Sequence, residues 1–488
     1  MTTFPTVYEG LEPSAVWHHF GALNAIPRPS GQEEAARAYV QEVAESRRAM
    51  WKTDARGNIC VRVPARGAAA DAPIVVLQSH LDMVCQKRPD VKHDFDHDPI
   101  APRRVDDRIY ASGTTLGADN GMGAAMMLAV LTSDDLKHGP LELLFTVEEE
   151  TGLFGAAFLD PELVRGRLLV NLDSEDPEEI TIGCAGGAST SLHLPVQLEA
   201  LNSDDVVVHI GVGGLQGGHS GIQIGEPLAN AIQLVGQILN AAAEECPDLR
   251  LIDVQGGTAH NAIPRDAQAS IALPASQLLA FNDVFDKTTR DIEMQWRNDE
   301  PGLSFLRENG TIDDSNAIVA ADTVKALSLL SGLPHGVIEW SQRFEGKVQT
   351  SCNFAAANAS PSKIEFSVSN RSFVAAELKG MQTRVADLGR AVGADIEVRD
   401  GYPGWEPSAN SPLVAATAVA YEKAMGHPAK VEVVHAGLEC GLLSEKLDGL
   451  DAVSFGPLIR GAHTPEEWVS ISSVGEMYRV LVTLLENL

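Results

Sequence analysis

At 488 residues the chain exceeds the roughly 150 that one core usually serves, so two or more domains are expected. Hydrophobic residues make up 44% and charged residues 21%, a balance that excludes a disordered chain. A formal net charge of -30 opposes phosphate backbones and anionic lipid, so neither nucleic acid nor a membrane is an expected partner, while many carboxylates are left to serve metals or cationic groups.

The opening segment MTTFPTVYEGLEPSAVW has no basic stretch leading into an apolar one, and nowhere does an apolar run approach the roughly 20 residues of a membrane helix. The expected location is the cytoplasm. Six cysteines (Cys60, Cys85, Cys184, Cys246, Cys352, Cys440) are scattered without C-x-x-C spacing, which fits reduced thiols. Metal ligands, if any, should be His and carboxylate.

The first 185 residues alternate short apolar runs with helical patterns, the texture of an α/β domain around a mostly parallel sheet. APIVVLQSH, LELLFTV and RLLVNLD read as buried strands, and GADNGMGAAMMLAVL as a glycine-punctuated turn entering a crossover helix. Open parallel sheets place functional groups beyond the carboxyl ends of their strands. Each predicted strand here exits into a candidate ligand: His80 and Asp82, the run Glu148-Glu149-Glu150, and Asp173, with Asp119 opening the helix.

His80 and Asp82 are two apart, so an extended backbone turns both to one side. One imidazole nitrogen can then bind metal while a carboxylate orients the ring, although a strand-end His and Asp facing water would read the same. Asp119 in GADNG reads either as a helix cap or as a carboxylate with little bulk around it for a close metal approach. Three consecutive glutamates after LLFTV repel one another unless cations or water compensate, so one can bind metal and its neighbour act as general base. Their joint placement favours a metal site over coincidence. Three carboxylates and a bridging hydroxide would balance two divalent cations.

Near residue 186 the pattern changes to β-α-β-β (DDVVVHIGVGG, PLANAIQLVGQILNAAAEE, LRLIDVQGG, AQASIALP), with a similar set at KIEFSVSN, ELKGMQTRVADLGRAV and ADIEVRD. This predicts an inserted α+β domain over 186–401, built as a tandem of one unit. After GYPGWEPSANSP the α/β style resumes in LVAATAVAYEKAMG, DAVSFGP and SVGEMYRVLVTLLENL. The expected architecture is a catalytic domain of 1–185 and 402–488 interrupted by a lid of 186–401.

The motifs SHLDMVCQK, TTLGADNGMGAA, FTVEEETGLFGA, LVNLDSED, GGHSG, HNAIPRDA, HAGLECGLL and GPLIRGAHTPEEW, in order along nearly the whole chain, resemble the zinc peptidases that include carboxypeptidase G, the aminoacylases and the carnosinases, and among them the aminoacyl-histidine dipeptidases. The resemblance implies two Zn2+, which Mn2+ or Co2+ can replace. Asp119 would bridge them, with His80 and Asp173 on one and Glu150 and His463 on the other. It further implies Glu149 as general base, assisted by Asp82, and His219 polarising the scissile carbonyl. Asn261 and Arg371 would hold the substrate's C-terminal end, Gly437 would admit it close to the backbone, and the chain would form a homodimer through the lid. The implied activity is hydrolysis of dipeptides, Xaa-His (carnosine-like) included, by a metal-bridging hydroxide. The alternatives are an N-acyl amino acid amidohydrolase and a non-catalytic peptide-binding protein, which would have no need of Glu149.

Overall fold

A computed structural model of the chain describes residues 6–67, 71–310, 316–408 and 410–488. Residues 1–5 of the opening segment read above, and Ala409 in the turn-rich segment, lie outside them. The chain divides into two compact units. The first comprises Met1–Cys184, Trp405–Val433 and Leu438–Leu488; the second comprises Ala185–Gly404 and Val434–Gly437. The boundaries read from sequence, 185/186 and 401/402, differ from these by one and three residues, and the short return of 434–437 to the second unit carries no sequence signal.

In the first unit an eight-stranded sheet is parallel at its centre. Leu141–Thr146, Val75–His80, Leu168–Asn171 and Asp451–Ser454 lie side by side and run one way. These strands are buried on both faces, and read as continuous apolar runs for that reason. Antiparallel pairs are added around this parallel centre: Met50–Thr53 and Ile59–Val63 form a hairpin beside Leu141–Thr146, and Glu179–Cys184 joins Asp451–Ser454 antiparallel. A hairpin needs no crossover helix, so the edge could be extended cheaply. The consequence for function is that His80, Thr146, Asn171 and Ser454 end at one edge.

The helix Ala118–Thr132 is apolar all round and buried along nearly its whole length, as expected of a helix enclosed by the fold. A four-stranded antiparallel sheet, not read from sequence, is built from Pro102–Val105, Arg108–Ala111, Trp468–Ser470 and Ile459–Arg460. Among the described residues no helix is long and apolar enough to cross a membrane.

The second unit is a nine-stranded sheet whose registered pairings are all antiparallel. Strict alternation along Lys363–Ser372 sends Ile364, Phe366 and Val368 into an apolar cluster with Ile232, Val235 and Ile238 of the helix Ala231–Glu245. The two sequence sets share one arrangement, a split β-α-β. Asp205–Gly213 and Arg250–Gly256 flank Ala267–Pro274, just as Lys363–Ser372 and Asp395–Tyr402 flank Gly186–Pro195. Both sets build a single sheet.

Packing against the ligand-bearing edge leaves no slack at Gly123, where an added Cβ would fall 2.2 Å from Asn120 Oδ1 and 2.5 Å from the Leu172 carbonyl. Gly123→Ala is therefore expected to destabilise the first unit by about 1–3 kcal/mol through overpacking, measured as a lower urea midpoint; an unchanged midpoint would contradict this packing.

Candidate active site at the parallel edge

His80 is the last residue of its strand and is 1% exposed. Its Nδ1 lies 3.1 Å from the Asp82 carbonyl and 3.4 Å from Asp82 Oδ1, which fixes the ring. Nε2 then faces Asp119 Oδ1 at 3.2 Å, Asp173 Oδ1 at 3.4 Å and Glu149 Oε2 at 4.0 Å. A ring held through one nitrogen with the other turned on carboxylates is the arrangement of a metal-binding imidazole. The Asp82 carboxylate does a second thing unforeseen in the sequence. It accepts the backbone N–H groups of Glu149 (3.0 Å) and Glu150 (3.1 Å) and the Ser30 hydroxyl (2.7 Å), and so sets the turn carrying both glutamates.

The glutamate run separates by direction. Glu148, in left-handed backbone (φ 51), turns to an ion pair with Arg56, while Glu149 and Glu150 turn inward. Leu153 (φ 59) and His463 (φ 64) are left-handed as well; such backbone is uncommon for side-chain-bearing residues and clusters at functional sites.

The loop presenting Asp119 is held from two sides. Glu467, 2% exposed, accepts the backbone N–H groups of Leu116 (2.6 Å), Gly117 (2.9 Å), Ala118 (2.7 Å) and Asp119 (3.2 Å). Arg28, 1% exposed, donates to the carbonyls of Leu81, Asp82 and Gly117 at 2.9, 3.1 and 2.6 Å, tying the His80 and Asp119 loops together. A Cβ at Gly117 or Gly121 would lie 2.4 or 2.7 Å from Arg28 Nη2. The glycines flanking Asp119 thus make room for a guanidinium. Asp119 (φ -80, ψ 112) leaves the helical region, and its peptide to Asn120 is cis.

His463 arrives on the loop joining Ile459–Arg460 to Trp468–Ser470. Its Nε2 is 3.2 Å from Asp119 Oδ2 and 3.0 Å from Glu150 Oε2. Asp119 therefore offers one oxygen to each histidine. The side-chain donors fall into compact sets, His80 with Asp119 and Asp173, Asp119 with Glu150 and His463, and His80 with Glu149 and Glu150, each within 4.8 Å. Glu150 Oε1 is buried without a hydrogen-bond partner. Donors of these types at these spacings, with an unsatisfied buried oxygen among them, fit divalent cations such as zinc, manganese or cobalt.

The charges act on one another strongly. Burial, reinforced by Glu150, Asp173 and Glu439 against the pull of His80, holds the Glu149 carboxyl well above its ordinary range. Burial likewise raises Asp173, and raises Glu150 with help from Asp119. Hydrogen bonds to Asp119 and Glu150 raise His463 to about 11. Burial disfavours a charged His80, yet Asp173, Asp119 and Asp82 outweigh it and raise its pKa. For Asp82 and Asp119 the hydrogen bonds overcome burial and lower the pKa. Two further acids belong to this neighbourhood and were not found from sequence. Glu439, fully buried, accepts from Gln78 (2.6 Å) and Thr146 (2.7 Å) and is raised by burial to about 7. Glu175 is raised by burial and by Asp119. Glu175 follows Asp173 by two, an extended-chain cue; Glu439 had none.

Within the second unit, the residues singled out by resemblance lie close together. His219 Nδ1 accepts the backbone N–H groups of Gly221 (3.2 Å) and Ile222 (3.1 Å), which leaves the ring proton on Nε2 as a donor. The Asn261 carbonyl accepts from Ser220 N at 2.8 Å. A Cβ at Gly221 would lie 3.1 Å from both His219 Cε1 and Arg371 Nε. Gly437 faces the Tyr402 ring, whose Cε2 would be 2.5 Å from an added Cβ, so packing alone requires glycine there.

Residues 76–487 match the family model described as peptidase family M20/M25/M40. The cytosol non-specific dipeptidase of Escherichia coli is 37% identical over 478 residues, 98% of each chain. The crystal structure of aminoacylhistidine dipeptidase from Vibrio alginolyticus superposes with a TM-score of 0.90 at 36% identity, covering 100% of this chain and 99% of that one. Aminopeptidase PepT from Bacillus cereus, 16% identical with 98% of each chain covered and a TM-score of 0.57, is similar in fold.

Removing the Glu467 carboxylate would strand four amides at once. Glu467→Ala is expected to lose at least about 2 kcal/mol of unfolding free energy, whereas Glu466→Ala, which breaks only an exposed pair with Arg88, should lose under about 1 kcal/mol; equal losses in denaturant titrations would contradict the role of Glu467. The metal-free protein should also be pH-sensitive. Asp173, Glu439 and His463 bind protons more tightly folded than unfolded, so their stabilisation is complete below the unfolded pKa values and is lost as pH rises; Asp82 and Asp119 act oppositely near and below about pH 4, and His19, His335 and His435, lowered by burial, act oppositely below about pH 6.5. The expected outcome by calorimetry in chelator is a thermal midpoint that falls from about pH 7 to about pH 9, and a rising profile would contradict it.

Proposed function

The chain belongs to peptidase family M20/M25/M40, and from that premise we propose that it is a dipeptidase that uses two divalent cations to hydrolyse the peptide bond of dipeptides, Xaa-His among them. One observation carries this reading: Asp119 turns Oδ1 toward His80 and Oδ2 toward His463, each at 3.2 Å. We assign His80, Asp119 and Asp173 to one cation and Asp119, Glu150 and His463 to the other, with zinc suited to both and manganese or cobalt able to replace it. Cations bound there lower the pKa of water toward neutrality and polarise a carbonyl.

The remaining work falls to the chain's own groups. Glu149 touches the cluster without being needed by either assigned set, and burial strengthens it as a base. In this reading it takes a proton from the attacking water and hands one to the departing amine. Asp82 supports it by holding its backbone N–H and by orienting His80. His219 is assigned to the oxygen of the scissile carbonyl, for which its Nε2–H is the right tautomer. Arg371 is assigned to the substrate's C-terminal carboxylate, with Asn261 and Gly437 beside it. Among the described residues no carboxylate pairs with Arg371, and its Nε is buried without a partner, which supports an anion arriving with the substrate. The E. coli relative's name supports both the dipeptide and a cytoplasmic location.

The test is a panel of dipeptides and N-acyl amino acids with and without chelator. Cleavage of dipeptides that chelator abolishes and added zinc restores is expected; cleavage of N-acyl amino acids alone, or of nothing, contradicts the reading. Glu149→Ala should lower kcat by about 10²- to 10⁴-fold while elemental analysis still finds two metals per chain, and loss of metal instead would refute its role as base.

A further inference from the structure

Arg371 and Tyr402 sit on strands that are not neighbours. Each pairs in register with Gly187, so the three stand in a row across Lys363–Ser372, Gly186–Pro195 and Asp395–Tyr402. Residues in register share a face, and alternation puts Arg371 on the face opposite Phe366 and Val368, away from the apolar cluster. With adjacent strands about 4.8 Å apart, the Arg371 and Tyr402 backbones are about 10 Å apart. Gly187, lacking a side chain, is what lets them meet. A Cβ on it would fall 2.7 Å from Tyr402 Cζ and 2.8 Å from the hydroxyl, and Gly437 closes the other side at 2.5 Å from Cε2. The ring is held between two glycines, and its hydroxyl accepts a 2.5 Å hydrogen bond from Arg371 Nη1.

Among the described residues no carboxylate pairs with Arg371, which donates to the Tyr402 hydroxyl. His435, which burial and then Arg371 push down to about 3, is neutral, with Nε2 2.8 Å from the Ser351 hydroxyl. Tyr402 thus orients the guanidinium, and neither it nor His435 neutralises it.

We propose that Tyr402 is a positioning residue for recognition of the substrate's C-terminal carboxylate: locked between Gly187 and Gly437, it fixes the plane of the Arg371 guanidinium so that the fork meets a carboxylate without first being ordered. This rests on the assignment of Arg371 made above. A guanidinium free to rotate would lose rotamer entropy on each binding event; one already tethered does not. Arg371, Gly187, Tyr402 and Gly437 then form one device spread over 250 residues of sequence, and the glycines are required by the tyrosine.

The experiment compares alanyl-histidine with alanyl-histidinamide, which lacks the carboxylate, by steady-state kinetics, using inhibition constants where amide turnover is slow. Tyr402→Phe keeps the ring between its glycines and removes only the hydroxyl. Its acid-over-amide ratio of kcat/KM should fall about five- to tenfold, mostly through KM, and Gly187→Ala, which displaces the ring, should reproduce that loss. Arg371→Lys should collapse the same ratio at least as far. If Arg371→Lys collapses it and Tyr402→Phe does not, the role of Tyr402 is overturned while that of Arg371 stands. Equal loss toward both substrates in Tyr402→Phe marks a packing role and overturns the proposal. An unchanged ratio in Arg371→Lys overturns the assignment of Arg371 and the proposal with it.

Discussion

Negative charge gathered out of water at one sheet edge is the condition to which the rest of the first unit answers. Asp119, Glu149, Glu150 and Asp173 converge there with Glu175 and Glu439 close by, and the histidines among them are His80 and His463. Carboxylates so placed repel one another and are costly to bury. The scaffold meets this with rigidity. Glu467 takes four consecutive amides, Asp82 takes two more, and the buried Arg28 binds three carbonyls. Each of these groups fixes a loop that bears an acid, so that the acids cannot relax apart. A site rigid in a shape unfavourable to itself is complementary to cations, and that is the sense in which the geometry favours a two-metal peptidase centre.

The parallel strands make this economical. Because Val75–His80, Leu141–Thr146 and Leu168–Asn171 run the same way and are hydrogen-bonded in register, three loops reach the same place without long detours. This was legible from the sequence: continuous apolar runs ending in His80, Glu148 to Glu150 and Asp173 predict buried parallel strands with polar exits, and the strands lie there. His463 was legible only through resemblance. It stands on a loop between two very short strands, and no periodicity distinguishes it from an ordinary exposed loop histidine. Arg28, Glu467 and Glu439 were not legible at all, since each acts on backbone or side chains far away in the chain, and burial of a charged residue has no local signature.

The second unit teaches the same point about glycine. The alternation along Lys363–Ser372 declares a half-buried strand, and the two β-α-β sets declare their kinship. Nothing local explains Gly187 or Gly437. The reason lies in Tyr402, a residue in neither motif, whose ring needs the space both leave empty. Similarly, the glycines of GADNG, read as little bulk around the Asp119 carboxylate, also clear Arg28. A glycine in a motif reports that something comes close; only the fold says what.

The claim on which the functional reading depends is that Asp119 lies between two cations. Anomalous diffraction at the metal absorption edge from crystals of the metal-loaded protein tests it most directly. The expected result is two peaks, one beside His80 and Asp173 and one beside Glu150 and His463, with an Asp119 oxygen on each. A single peak, or two peaks with Asp119 bound to only one, would contradict it.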